Sequence, residues 1–203
     1  MPRIAPLLLV AGLAHAQDSD NPPTLKLDRI PSSPAFIGQT RAPAADASAY
    51  VVETVVGGLS TPWALAFLPD GEILLTEYTG AMRILRADGT LTEPLSGLPE
   101  TSHEGWAGLF DVTLDPSFAT NGLIYFSYTA PSGDPDAPNI PRVARGRLDR
   151  ERLELADVEV LLDGTAWQEL HFAPDGTLLV SGTGEGEAQD LGVTSGKLLR
   201  IRG

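Results

Sequence analysis

The sequence predicts an all-β chain assembled from about three blades of a β-propeller. Three observations support this. The first is a repeat: Phe67-Leu68-Pro69-Asp70-Gly71-Glu72-Ile73-Leu74-Leu75 returns as Phe172-Ala173-Pro174-Asp175-Gly176-Thr177-Leu178-Leu179-Val180. A degenerate copy, Leu114-Asp115-Pro116-Ser117-Phe118, leads between them into Leu123-Ile124-Tyr125-Phe126. The second is spacing: the aligned prolines 69, 116 and 174 stand 47 and 58 residues apart, close to the roughly 40–50 residues of a four-stranded blade. The third is composition: 21 glycines and 17 prolines are spread among short apolar runs, and 42% of residues are hydrophobic. That is a turn-rich β pattern rather than a helical one.

Each repeat carries its turn chemistry. Proline presets φ, Asp bonds its own backbone and Gly accepts positive φ, so an apolar strand ends at a specified turn and a second begins. From Tyr50 the reading runs as follows. Val51–Val56 is a β-branched strand closed by Gly57-Gly58. Trp63–Phe67, Ile73–Thr76 and Ala81–Leu85 follow, and Asp88-Gly89 is a hairpin signal, completing blade one. Phe110–Leu114, Leu123–Tyr128 and Val143–Leu148 form the middle blade, with Asn121-Gly122 as an internal turn and the proline-rich segment 131–141 as a surface loop. Val158–Leu162, Glu169–Phe172, Leu178–Ser181 and Lys197–Ile201 are assigned to the last blade, and no substantial helix is expected.

Ahead of the blades, residues 1–16 have the form of a secretory signal. Arg3 is the positive end, Ile4–Leu13 the apolar stretch and Ala14-His15-Ala16 the small-x-small cleavage site. The apolar stretch is short for a membrane span, so a periplasmic or secreted protein is expected, with a membrane anchor as the competing reading of this segment. Residues 17–49, rich in Pro, Ala, Ser and Asp, read as an extended arm. Residues 50–203 are the propeller segment.

The net charge is −13, and removing Arg3 with the signal makes it more negative. This argues against nucleic acid and anionic membranes as partners, and neither is expected. With no cysteine, disulfides and thiolate metal sites are excluded. No Gly-x-Ser-x-Gly elbow, His-Glu-x-x-His helix or P-loop occurs. Ser181-Gly182-Thr183-Gly184-Glu185-Gly186-Glu187 lacks the third glycine of a dinucleotide loop and reads as a blade loop. Glu185, Glu187 and Asp190 are oxygen donors of the kind calcium takes. A solvated acidic loop is the preferred account of them, and no residue is assigned as a metal ligand.

From about Val51 onward the chain resembles the soluble PQQ-dependent glucose and aldose sugar dehydrogenases, the glucose/sorbosone dehydrogenase-like family. The resemblance rests on the ordered run Gly58-Leu59-Ser60-Thr61-Pro62-Trp63-Ala64-Leu65-Ala66-Phe67-Leu68-Pro69-Asp70-Gly71, Leu75-Thr76-Glu77 and Gly97-Leu98-Pro99. It continues through Gly108-Leu109-Phe110-Asp111-Val112-Thr113-Leu114-Asp115-Pro116-Ser117-Phe118, then Ala188-Gln189-Asp190 and Gly196-Lys197-Leu198-Leu199-Arg200. It covers the N-terminal half of that family. It implies a partial segment of a six-bladed propeller, PQQ and calcium as cofactors, and an aldose sugar as substrate, oxidised at its anomeric hydroxyl. Most residues that hold those cofactors in the family fall in blades beyond this sequence. The chain is therefore expected to be truncated relative to the family, inactive alone, and prone to self-association through open sheet edges.

Three residues stand as site candidates. His171 is the candidate catalytic base, because an imidazole titrates near working pH. It takes that place if Leu170-His171-Phe172 matches the family's Leu-His-Phe-Gly phrase across a short deletion. Without gaps, Thr165 falls there instead, and His171 is a strand residue equivalent to Ala66. Trp106 stands where the family places a cofactor-contacting glutamine and could stack a planar ligand. His103 lies in the same loop, which faces the central funnel in the family. Two other classes compete with the enzyme reading. One is a non-catalytic propeller half acting in binding or assembly. The other is a lactonase-like hydrolase, which needs inward carboxylates and amides on several blades.

Overall fold

The computed structural model describes residues 51–103, 105–164, 166–183, 189–190 and 192–202, with backbone alone for 166–168. The signal segment, the arm, Thr165, Glu185 and Glu187 lie outside the described residues. Among the described residues, ten strands form three antiparallel sheets in chain order, with one four-residue helix between strands of the second.

The first sheet holds β1 (Pro62–Phe67), β2 (Ile73–Glu77) and β3 (Ala81–Leu85), in that order. The second holds β4 (Leu109–Leu114), β5 (Leu123–Ala130), β6 (Ile140–Asp149) and β7 (Glu154–Asp163), and the third β8 (Ala166–Phe172), β9 (Leu178–Thr183) and β10 (Leu198–Ile201). These are the three blades that the repeat predicts. The repeat turns close as their chemistry requires. Gly71 and Gly176 adopt φ of +89° and +79°, and their amides donate to the carbonyls of Leu68 and Ala173 at 3.0 and 2.9 Å. The hairpin signal at Asp88-Gly89 also forms a turn, with the Gly89 amide on Arg86 O and Leu91 bridging back to Leu85.

Two expectations are corrected. Residues 51–56 form no strand, and Val52 and Val55 are 84% and 75% exposed. β-branched side chains favour a pleat only where a neighbouring strand supplies ladder bonds and cover. Val158–Leu162 belongs to the second blade, because β7 runs back along β6 from Asp149↔Glu154 to Arg142↔Asp163. The tight β6–β7 connection makes this hairpin, so its ladder is formed before the chain reaches the third blade. The helix α1, Phe118–Asn121, ends at Gly122 with φ +65°, the left-handed C-terminal cap that glycine favours.

Burial follows the sheets. The larger core packs Leu74, Met82 and Ile84 of the first blade against Leu109, Ile124 and Phe126 of the second, each at most 1% exposed. A smaller core joins Tyr125 and Val143 of the second blade to Leu170, Leu178 and Val180 of the third.

One irregularity recurs. Each blade's first strand carries a bulge, between Pro62 and Leu65, Leu109 and Val112, and Trp167 and Glu169. In the first two, a hydroxyl on the next strand fills the gap: Thr76 Oγ1 accepts from the Ala64 amide at 3.0 Å, and Ser127 Oγ from the Asp111 amide at 3.2 Å. A bulge re-aims side chains, and these three lie on the strands that line the candidate site.

Candidate functional site on the first strands of the blades

β1, β4 and β8 are each an edge strand of their sheet, and together they line two adjoining grooves of about 400 and 440 Å³. The larger is bounded by Trp63, Ala64, Asp111, Glu169, Leu170 and His171. The smaller shares Asp111, Leu170 and His171 and extends along Leu65–Phe67 and Val112–Leu114.

His171 lies on β8 opposite Leu179 and is exposed to the grooves. Its repeat equivalent Ala66 lines the smaller one. Equivalent positions thus face the same space, and an imidazole there can reach a groove ligand as Ala66 cannot.

Beside it stands a residue that the sequence reading did not single out. Asp111 Oδ2 accepts from the Leu170 amide at 2.6 Å, and Oδ1 from the Val112 amide at 2.8 Å. Burial pushes its carboxyl above the ordinary range of 3.8, and the Glu169 charge adds to that. The two amide donors and the His171 charge act in the opposite direction. The signal was present, since Asp111 is the one charged residue within Leu109–Leu114, a strand in which Leu109, Phe110 and Val112 are buried.

Trp106 and His103 stand elsewhere. Both are exposed, Trp106 at 92%, and neither lines the grooves that hold His171. Their loop is fastened by the Ser102 amide on Thr129 O at 2.8 Å, Asn139 Nδ2 on Ser102 Oγ at 2.8 Å and Tyr78 Oη on Gly105 O at 3.1 Å. Beneath it Trp63, Tyr78 and Phe110 pack as an aromatic triad with centroids 5.3–5.8 Å apart.

The groove does not fit PQQ by itself. The quinone carries carboxylates and calls for cations, yet the groove presents Asp111 and Glu169 and no Lys or Arg. Several arginines elsewhere in the blades are paired with carboxylates: Arg83 with Glu77, Arg86 with Glu72, Arg145 with Glu159, Arg150 with Asp70 and Glu72. Calcium fares no better, since no group of three or more His, Cys, Asp or Glu among the described residues is placed to hold a metal.

Comparison with known proteins identifies the kinship. Residues 59–203 match the model of the Glucose / Sorbosone dehydrogenase family. Aldose sugar dehydrogenase YliI of Escherichia coli (strain K12) is 35% identical over 169 residues, 74% of this chain and 43% of that protein. The solved apo form of the soluble aldose sugar dehydrogenase from Escherichia coli superimposes with TM-score 0.67 at 32% identity, covering 73% of this chain and 46% of that one. The PQQ-bound aldose sugar dehydrogenase of Streptomyces coelicolor gives TM-score 0.66 at 28% identity, covering 79% and 50%. The chain thus spans about half the length of the relatives it matches. The match of the family model over residues 59–203, with the shared fold, makes this chain a member of the glucose/sorbosone dehydrogenase family.

Proposed function

We propose that the chain is a three-blade segment of an exported PQQ-dependent aldose dehydrogenase, organised as a signal segment (1–16), an arm (17–49) and blades (50–203). The observation that carries this is the family match over residues 59–203 together with 35% identity to an aldose sugar dehydrogenase. Export rests on the secretory form of residues 1–16. The reaction assigned is oxidation of a sugar at its anomeric hydroxyl. On this reading His171, exposed in the groove, takes the hydroxyl proton. Glu169 and Asp111 give the groove hydrogen-bond acceptors suited to a polyol.

The groove lacks the cations that the quinone's carboxylates need. Productive binding accordingly requires positive groups that the lining of this groove does not supply. That same observation favours the second reading, a non-catalytic propeller segment that binds or assembles with a partner.

The test is dye-linked aldose oxidation with PQQ and Ca²⁺. The chain alone is expected to be silent, and activity is expected to appear on mixing with the remaining blades of the Escherichia coli relative. Activity abolished by His171→Ala supports the catalytic reading. Activity that survives that change removes His171 from the reaction, and silence in every mixture favours the binding reading.

A further inference from the structure

We propose that Asp111 is a positioning residue: its carboxylate, bonded to the Leu170 amide, fixes the first strand of the third blade against that of the second and so sets where the His171 imidazole stands. The catalytic meaning of this rests on the role proposed for His171; the positional claim does not.

β8 is an edge strand, and a buried edge amide left without an acceptor is costly. Leu170 is 5% exposed, and its amide is satisfied from the neighbouring sheet by Asp111 Oδ2 at 2.6 Å. The carboxylate is itself held. Oδ1 accepts from the Val112 amide at 2.8 Å, and the Asp111 backbone amide donates to the buried Ser127 Oγ at 3.2 Å. The bulge between Leu109 and Val112 aims this side chain across the seam. The equivalent residue on the first blade, three positions before the repeat phenylalanine, is Ala64, which has nothing to aim. His171 follows Leu170 directly, so a displacement of that amide is carried to the next side chain. The charged groups facing Asp111 are Glu169 and His171 of β8.

The experiment uses the full chain labelled for NMR, with Asp111→Ala and Asp111→Asn beside the wild type. Removing a charged acceptor should speed Leu170 amide exchange by at least about tenfold, move the His171 ring resonances, and leave the Phe126 amide unchanged. Asp111→Asn keeps one acceptor oxygen and should restore part of the protection. In the wild type, where no variant need fold, the Leu170 amide should titrate with the Asp111 carboxyl. A folded Asp111→Ala chain with unaltered Leu170 exchange, or a Leu170 amide indifferent to that titration, overturns the proposal. So does a His171 ring that stays in place while Leu170 exchange rises. Failure of the dehydrogenase reading would appear separately, as absent oxidation in every mixture, with these NMR results unaffected.

Discussion

The seam between the first and second blades and the seam between the second and third hold by different means. The first buries fifteen apolar side chains in one cluster; the second buries five. The first is also stitched at its outer edge, where the Ser96 amide donates to Leu153 O at 2.8 Å and the Leu155 amide donates to Ser96 O at 2.9 Å. A further tie is the Arg86–Glu72–Arg150–Asp70 network. At the groove, the Thr76 hydroxyl donates to Phe110 O at 2.7 Å. The second seam has the edge-on Tyr125–Phe172 pair at 5.0 Å and the Asp111 carboxylate on the Leu170 amide. Apolar burial scales with area, so the first seam is set by many small contributions. The second has a smaller apolar cluster and adds a carboxyl-to-amide hydrogen bond, and it lies where the candidate base stands.

The largest expected effect tests the first seam. Phe126 is fully buried and packs on Tyr128 with centroids 5.5 Å apart. Phe126→Ala should cost about 3–5 kcal/mol, measured by denaturant unfolding. A loss below about 1 kcal/mol would show that the cluster does not govern stability.

Next comes the stitch at its edge. Gly97 has φ +77°, and a Cβ there would collide with the Leu155 carbonyl oxygen. Gly97→Ala therefore combines left-handed strain of roughly 1–2 kcal/mol with displacement of a backbone group. Hydrogen exchange should rise at Ser96 and Leu155 while β8 stays protected.

The second seam should answer to pH. Burial raises the Asp111 carboxyl above 3.8 in the folded chain, so between that value and the raised one the folded state binds the proton more tightly than the unfolded. Stability from this group is greatest at acid pH and falls as pH rises through that window. Asp111→Asn should flatten this part of the stability–pH profile. A slope that persists unchanged in the variant would assign it to other groups.

The smallest effect belongs to the surface network. Arg150→Ala removes ion pairs to half-exposed Asp70 and less exposed Glu72. Exposed pairs contribute little and are screened by salt, so the melting temperature should drop slightly at low salt and converge with the wild type near 1 M.

Particular residues show how far the sequence could be read. The Pro-Asp-Gly turns and the strands around Leu74, Phe126 and Val180 were legible because local turn chemistry and short apolar runs coincide there. Val51–Val56 misled because β-branched composition states a preference that only a paired neighbour realises. Val158–Leu162 was placed in the wrong blade because a strand's composition does not name its partner; the β6–β7 hairpin does. In the site, His171 was legible as an imidazole beside a repeat turn, and the structure puts it in a groove. Trp106 and His103 stand away from that groove. Asp111 went unread because its importance lies in what it touches 59 residues later in the chain.

The sequence by itself determined the β class, the blade count and the family, since those follow from turn residues, periodicity and ordered motifs written along the chain. Only the tertiary structure decided which strands share a blade and which first strands meet across a seam. It also decided that one carboxylate bridges to the backbone beside the candidate base. Hydrogen bonds between edge strands join residues far apart in sequence, and no local pattern encodes their geometry.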